Sequence, residues 1–103
     1  MVHNAMIFYP TKDTVWKVGN EVNVTWQTVH MPHGMSQRLG RVFFEYQENG
    51  MLHALQDYRL AVNVRLGDGN VTFTVPQVEE RDEYVIVMNA SGKKSHPFTI
   101  RSA

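Results

Sequence analysis

The sequence has no cysteine among its 103 residues. Structural disulfides, thiol nucleophiles and zinc sites built on thiolates are therefore excluded. No stretch approaches the roughly 20 consecutive apolar residues of a transmembrane helix, so we expect no membrane span. Charge of one sign is not in excess either, because 10 lysine and arginine residues balance 10 aspartate and glutamate residues. We therefore expect no nucleic-acid partner and no attraction to an acidic membrane surface.

The amino-terminal segment MVHNAMIFYP is too short and too polar to be a secretory signal peptide. Two interpretations follow. The protein is cytosolic, or a leader was removed and Met1 is not native. We favour the second, which predicts an extracellular or cell-wall location.

Helical spacing is nearly absent, whereas apolar and polar residues alternate along most of the chain. This period of two predicts short strands separated by turns, and the segment from 51 to 65 forms either two strands or one long bent strand. The pattern predicts one all-β domain over residues 1–103, an antiparallel sandwich of about seven strands, immunoglobulin-like or fibronectin III-like. The predicted strands cover residues 5–10, 21–28, 41–47, 51–65, 71–76, 83–90 and 95–100.

Aromatic residues on the apolar faces of these strands predict the core, since no disulfide can join the two sheets. We expect the buried aromatic residues to be Trp26, Phe44, Phe73 and Phe98. Tyr84, near the start of the penultimate strand, is where a tyrosine corner places its hydroxyl against nearby backbone. Asn49-Gly50 tolerates positive φ and predicts a tight hairpin.

The order of several short motifs resembles a known family. They are Pro10, VWKVG (15–19), NVTW (23–26), GNVTFTVP (69–76), DEYVIV (82–87) and SHPFTI (95–100). In this order the chain resembles the N-terminal domain of fungal Kre9/Knh1-like cell-wall proteins, which also occurs in Ser/Thr-rich, GPI-anchored wall proteins. The resemblance implies secretion and a context of wall β-glucan assembly. It implies no catalytic residues.

Three Asn-x-Ser/Thr triplets begin at Asn23, Asn70 and Asn89. Chance predicts about one in a chain of this composition. By strand alternation, Asn23 faces away from the core, and the other two border turns, so a glycan at any of them leaves the packing intact. We predict N-glycosylation at one or more of the three, against the alternative of coincidence in a Thr-rich β protein.

Metal binding and catalysis have little support in the sequence. His30 and His33 lie three residues apart in the predicted loop 29–40, beside two methionines, a combination that suits copper. No third strong ligand is fixed nearby, so we expect solvated histidines, no metal and no cofactor. The chain has no nucleophile motif, and its carboxylates cluster only in VEERDEY (78–84), which is typical of a solvated turn. We therefore predict a protein that is not an enzyme.

Two functions from different classes remain. The first is a secreted fungal wall-associated module that binds wall polysaccharide (β-glucan) or a wall protein. The alternative is an immunoglobulin-like adaptor that binds protein alone. For docking, strand alternation predicts that Phe43, Val85 and Val87 converge on the outer face of one sheet. A homodimer is compatible with such a patch, and so is a loop that folds over it.

Overall fold

The computed structural model describes residues 7–29, 31, 34–55, 60–88 and 93–103. Within these ranges the chain is almost entirely β, which confirms the predicted fold class. Two short 3₁₀ turns, Met35–Gln37 and Leu66–Asp68, interrupt the strands. The strands are β1 (Ile7–Tyr9), β2 (Val15–Lys17), β3 (Glu21–Trp26), β4 (Leu39–Glu48), β5 (Met51–Leu55), β6 (Ala61–Arg65), β7 (Asn70–Thr74), β8 (Arg81–Met88), β9 (Lys93–Lys94) and β10 (Phe98–Arg101).

The strands form two sheets that pack against each other. The smaller sheet has the order β1-β3-β7, and the larger has the order β2-β10-β8-β4-β5, with β6 also paired to β4 and β9 to β8. Neighbouring strands are antiparallel apart from β10 and β2, which run parallel. A sheet around β3 that faces a sheet centred on β4, β8 and β10 is the arrangement of an immunoglobulin-like sandwich.

Two short strands pair with the long strand β4 at one edge of the larger sheet. Its second half pairs with β5, from Phe44 opposite Leu55 to Glu48 opposite Met51, and its first half pairs with β6. The segment after the hairpin thus forms two short strands, one of the two predicted alternatives. Asn49 and Gly50 join β4 to β5 with φ of 55° and 75°, as the sequence predicts for a two-residue hairpin turn.

The core lies between the two sheets. All four predicted core aromatics are buried, with Phe44 and Phe98 at 0% exposure, Trp26 at 2% and Phe73 at 8%. Trp16 of β2 is buried as deeply, and its ring meets Phe98 of the larger sheet at 4.6 Å and Phe73 of the smaller sheet at 5.9 Å between centroids. The indole of Trp16 therefore contacts both sheets. In a sandwich without disulfides, aromatic side chains of this kind hold the two sheets together.

Several strand bounds differ from those predicted. The segment with Trp16 lies outside the predicted strands but contains β2, whose pairing with β10 joins residues far apart in sequence. β4 begins at Leu39, inside the predicted loop, and β8 begins at Arg81, inside the predicted acidic turn. In each case a partner strand extends the pairing beyond the local alternation.

Candidate binding cleft

A cleft of about 260 Å³ opens at the edge of the sandwich, where β4 and β5 meet the connection between β7 and β8. In the part of the chain that the structure describes, the smaller sheet has three strands, so the inner face of the larger sheet extends past it at β5. Aromatic, apolar, amide and charged groups converge there, the mixture usual in ligand sites. The lining residues are Tyr46, Leu55, Gln77, Val78, Glu79, Arg81 and Tyr84.

Three planar groups stack beside the cleft, and two of them, Tyr46 and Arg81, line it. The imidazole of His53 lies on the ring of Tyr46 with 5.1 Å between centroids and 21° between planes. The guanidinium carbon of Arg81 lies 4.0 Å from the centroid of the same ring, in cation–π geometry. Because β5 and β8 flank β4 on opposite sides, the phenol ring of Tyr46 is held between His53 and Arg81. His53, on the edge strand β5, is half-buried.

Two carboxylates hold the guanidinium of Arg81. Its nitrogens lie 3.0 Å from Oε2 of Glu79 and 3.5 Å from Oε2 of Glu48. Ion pairs this exposed add little to stability. Their effect is on orientation, because they hold the guanidinium over Tyr46, and Glu79 adds a hydrogen-bond acceptor to the lining of the cleft.

The tyrosine corner positions the connection that forms one wall of the cleft. The hydroxyl of Tyr84 donates to the carbonyl oxygen of Glu79 at 2.5 Å, which confirms the predicted role of this residue. Burial raises the pKa of Tyr84 above its ordinary value, so the hydroxyl keeps its proton and remains a donor. One residue further on, Oε1 of Glu80 accepts the backbone N–H of Ser102 at 2.8 Å, and this bond lowers the pKa of Glu80. The wall is thus attached to β8 and to the end of β10.

Two of the predicted glycan acceptors lie opposite each other on the smaller sheet. In the register of β3 and β7, Asn23 pairs with Thr72 and Thr25 pairs with Asn70, so the two Asn-Val-Thr triplets run antiparallel side by side. Nδ2 of Asn23 donates to Val71 O at 3.1 Å and to Thr72 Oγ1 at 3.2 Å.

The side chain of Asn70 is exposed, and its Nδ2 donates to Asp68 O at 3.2 Å. The third predicted acceptor, Asn89, lies outside the described residues.

The residues of the predicted outer-face patch share one face of the sheet, as predicted, but they are less exposed than the prediction requires. Phe43 lies opposite Val87 across β4 and β8, and Val85 follows on the same face. However, Val85 and Val87 are buried, with 7% and 5% of their surface exposed.

A long-range ion pair accounts for part of this burial. Nζ of Lys94 lies 3.2 Å from Oε1 of Glu45, and these residues flank β8 on its two sides. The side chain of Lys94 therefore crosses β8 between the two valines. Phe43 is half-buried, so this face does not offer the three-residue apolar patch that the sequence predicts.

The predicted copper candidates, His30 and His33, lie outside the described residues. Of the neighbouring methionines, Met31 and Met35 are partly buried and pack against the core. In the part of the chain that the structure describes, no three His, Asp or Glu side chains come together as metal ligands. Nor do those residues include a helix long and apolar enough to cross a membrane.

The cleft is not among the features predicted from the sequence. One signal was available, because a two-residue turn at Asn49-Gly50 sets Tyr46 opposite His53 by counting back along the hairpin. Arg81 and Glu79 carried no comparable signal, since Arg81 begins β8 and Glu79 lies in the connection before it, and the position of both depends on the whole fold.

The chain was compared with known proteins at three levels. No protein-family model, no curated protein and no solved structure matches it. The resemblance to the fungal wall domain therefore stays an expectation from sequence motifs, and function is inferred from the site itself.

Proposed function

We propose that the protein is a non-catalytic, secreted, wall-associated domain that holds part of a polysaccharide chain in the cleft at Tyr46 and His53. The observation that carries this proposal is the stack of His53, Tyr46 and Arg81 beside Glu48 and Glu79. A sugar ring presents an apolar face of C–H groups and a rim of hydroxyls. The imidazole face suits the former, and the carboxylate oxygens suit the latter.

The size of the cleft favours binding of one part of a polymer over binding of an enclosed small molecule. At about 260 Å³ it lies just below the range of roughly 300–1,000 Å³ in which drug-sized ligands bind. A site that contacts one ring of a long, neutral chain needs no deeper enclosure. The charges around Arg81 are already paired, which favours an uncharged glycan such as β-glucan over an acidic one.

The alternative of an adaptor that binds protein alone draws less support from the predicted patch. Such a surface needs exposed apolar area, and Val85 and Val87 supply almost none. Export of the chain remains part of the proposal and rests on the family resemblance and the paired Asn-Val-Thr triplets. A leader in the coding sequence upstream of Met1 would support it directly.

A pull-down against insoluble β-glucan, chitin and mannan tests the proposed ligand class. We expect retention on β-glucan, and we expect His53→Ala to weaken it about fivefold, the equivalent of about 1 kcal/mol for one aromatic contact. His96→Ala is the matched control, because His96 is exposed and lies outside the stack on Tyr46. Retention on none of the three polymers, or equal loss in both variants, would overturn the proposal.

A further inference from the structure

The edge strand β5 lacks the devices that usually prevent strand edges from pairing with another chain. Its sequence, Met-Leu-His-Ala-Leu, contains no charged residue and no proline. Met51 and Leu52 are 63% and 49% exposed. In the described register β5 pairs with β4 on one side and ends the order of the larger sheet. Among the described residues no strand pairs with its other edge, which presents backbone donors and acceptors next to apolar side chains.

Other strands at sheet edges are better protected. β1 has three residues and is followed by Pro10, and β2 has three residues, of which Lys17 is exposed. β7 carries asparagine and threonine on its outer face instead of apolar residues. Short length, charge and polar side chains each reduce pairing at an edge. Of these four strands, only β5 combines a length of five residues with apolar side chains at four of its five positions.

We propose that two copies of the chain associate through β5, antiparallel and with His53 opposite His53 across a two-fold axis. In this register Met51 meets Leu55 of the second copy on one face, and Leu52 meets Ala54 on the other. A second copy fits this edge because the strand is neutral. Any charged residue near the axis would face its own like charge, and β5 has none.

The interface is small, so the association is of the weak, transient class. Five residues per copy bury well under the roughly 1,200 Å² of stable complexes. Sedimentation velocity at roughly 10 to 500 µM covers the range where such a dimer forms. We expect the wild-type dimer fraction to rise with concentration and Leu52→Lys to remain monomeric.

Val15→Lys is the matched control, since Val15 is an exposed apolar residue, 59% accessible, on the opposite edge strand β2. It should dimerise like the wild type, and circular dichroism should show both variants folded. A wild-type chain that stays monomeric throughout would overturn the proposal. So would a dimer that survives Leu52→Lys and is lost in Val15→Lys.

The absence of cysteine allows a second test of the register, because one introduced thiol is then unique in each chain. Directly opposite residues in antiparallel strands have Cα atoms about 4.5–5.5 Å apart, within disulfide range. We expect His53→Cys to form a covalent dimer under mild oxidation, and Val15→Cys to form far less. Equal cross-linking of the two variants would contradict pairing through β5.

Dimerisation would place two stacks of His53 and Tyr46 on the same face of one continuous sheet, a consequence that rests on the proposed function. The two Tyr46 residues would be three strand spacings apart, about 14 Å. Simultaneous contact of both with one polymer raises avidity.

Leu52→Lys should then reduce retention on insoluble β-glucan and leave affinity for a short soluble oligosaccharide unchanged. Loss of both would contradict the bivalent role, whereas a wild-type monomer that still binds glucan would overturn the dimer and leave the proposed function intact.

Discussion

Trp26 combines the packing and polar roles that a buried indole can have. Its ring is 2% exposed, and its Nε1 donates to the carbonyl oxygen of Leu66 at 2.7 Å, which attaches the second 3₁₀ turn to β3. Trp26→Ala removes both the ring volume and this bond, and we expect a loss of about 3–5 kcal/mol in the free energy of unfolding. Urea denaturation measures it, with the exposed Val29→Ala as control. A midpoint equal to that of the control would contradict the described core.

Because of Tyr84, the free energy of unfolding decreases as the pH rises through the alkaline range. Burial raises its pKa in the folded state, so the unfolded chain loses this proton first as the pH passes about 10. The stabilisation from Tyr84 is therefore complete below that pH and is lost as the pH rises towards the higher folded pKa. Tyr84→Phe lacks this titration and the bond to Glu79, so we expect it to be about 1 kcal/mol less stable at pH 8. In urea unfolding, the difference from wild type should shrink between pH 9 and pH 11, and a constant or growing difference would contradict the role of burial.

At the scale of elements, the pairing of β3 with β7 distinguishes two of the three predicted glycan acceptors. An amide nitrogen has two hydrogens, and Asn23 uses both in bonds to β7, whereas Asn70 uses one. A glycan at Asn23 replaces a bond worth about 1 kcal/mol, and one at Asn70 replaces none. After expression in a fungal host, we therefore expect mass spectrometry of glycopeptides to find Asn70 occupied in preference to Asn23. Asn23 occupied and Asn70 bare would contradict this.

The sequence predicts those elements whose signal is local. Alternation indicates β3 and β7, Asn49-Gly50 fixes the hairpin register, and the position of Tyr84 indicates the corner. The misses are all long-range. β2 depends on β10, and the burial of Val85 and Val87 involves Lys94 reaching Glu45 across 49 positions. No local pattern contains such information.

At the scale of the whole molecule, the cleft follows from the difference in width between the two sheets. Three strands cannot cover the inner face of seven, so the part of the larger sheet beyond β4 remains open beside the connection between β7 and β8. The hairpin brings His53 to Tyr46, and β8 brings Arg81. The sequence could predict the first of these contacts. The second required the fold, because it depends on how β8 lies against β4.

We propose that a glycan binds at this cleft, beside the stack of His53 and Tyr46. Titration of the isotopically labelled protein with a soluble β-glucan oligosaccharide, followed by NMR chemical shifts, tests it most directly. We expect saturable shifts at Tyr46, His53 and Gln77, and much smaller ones at Phe43 on the outer face of the larger sheet. No saturable shift, or shifts confined to Phe43 and its neighbours, would contradict the account.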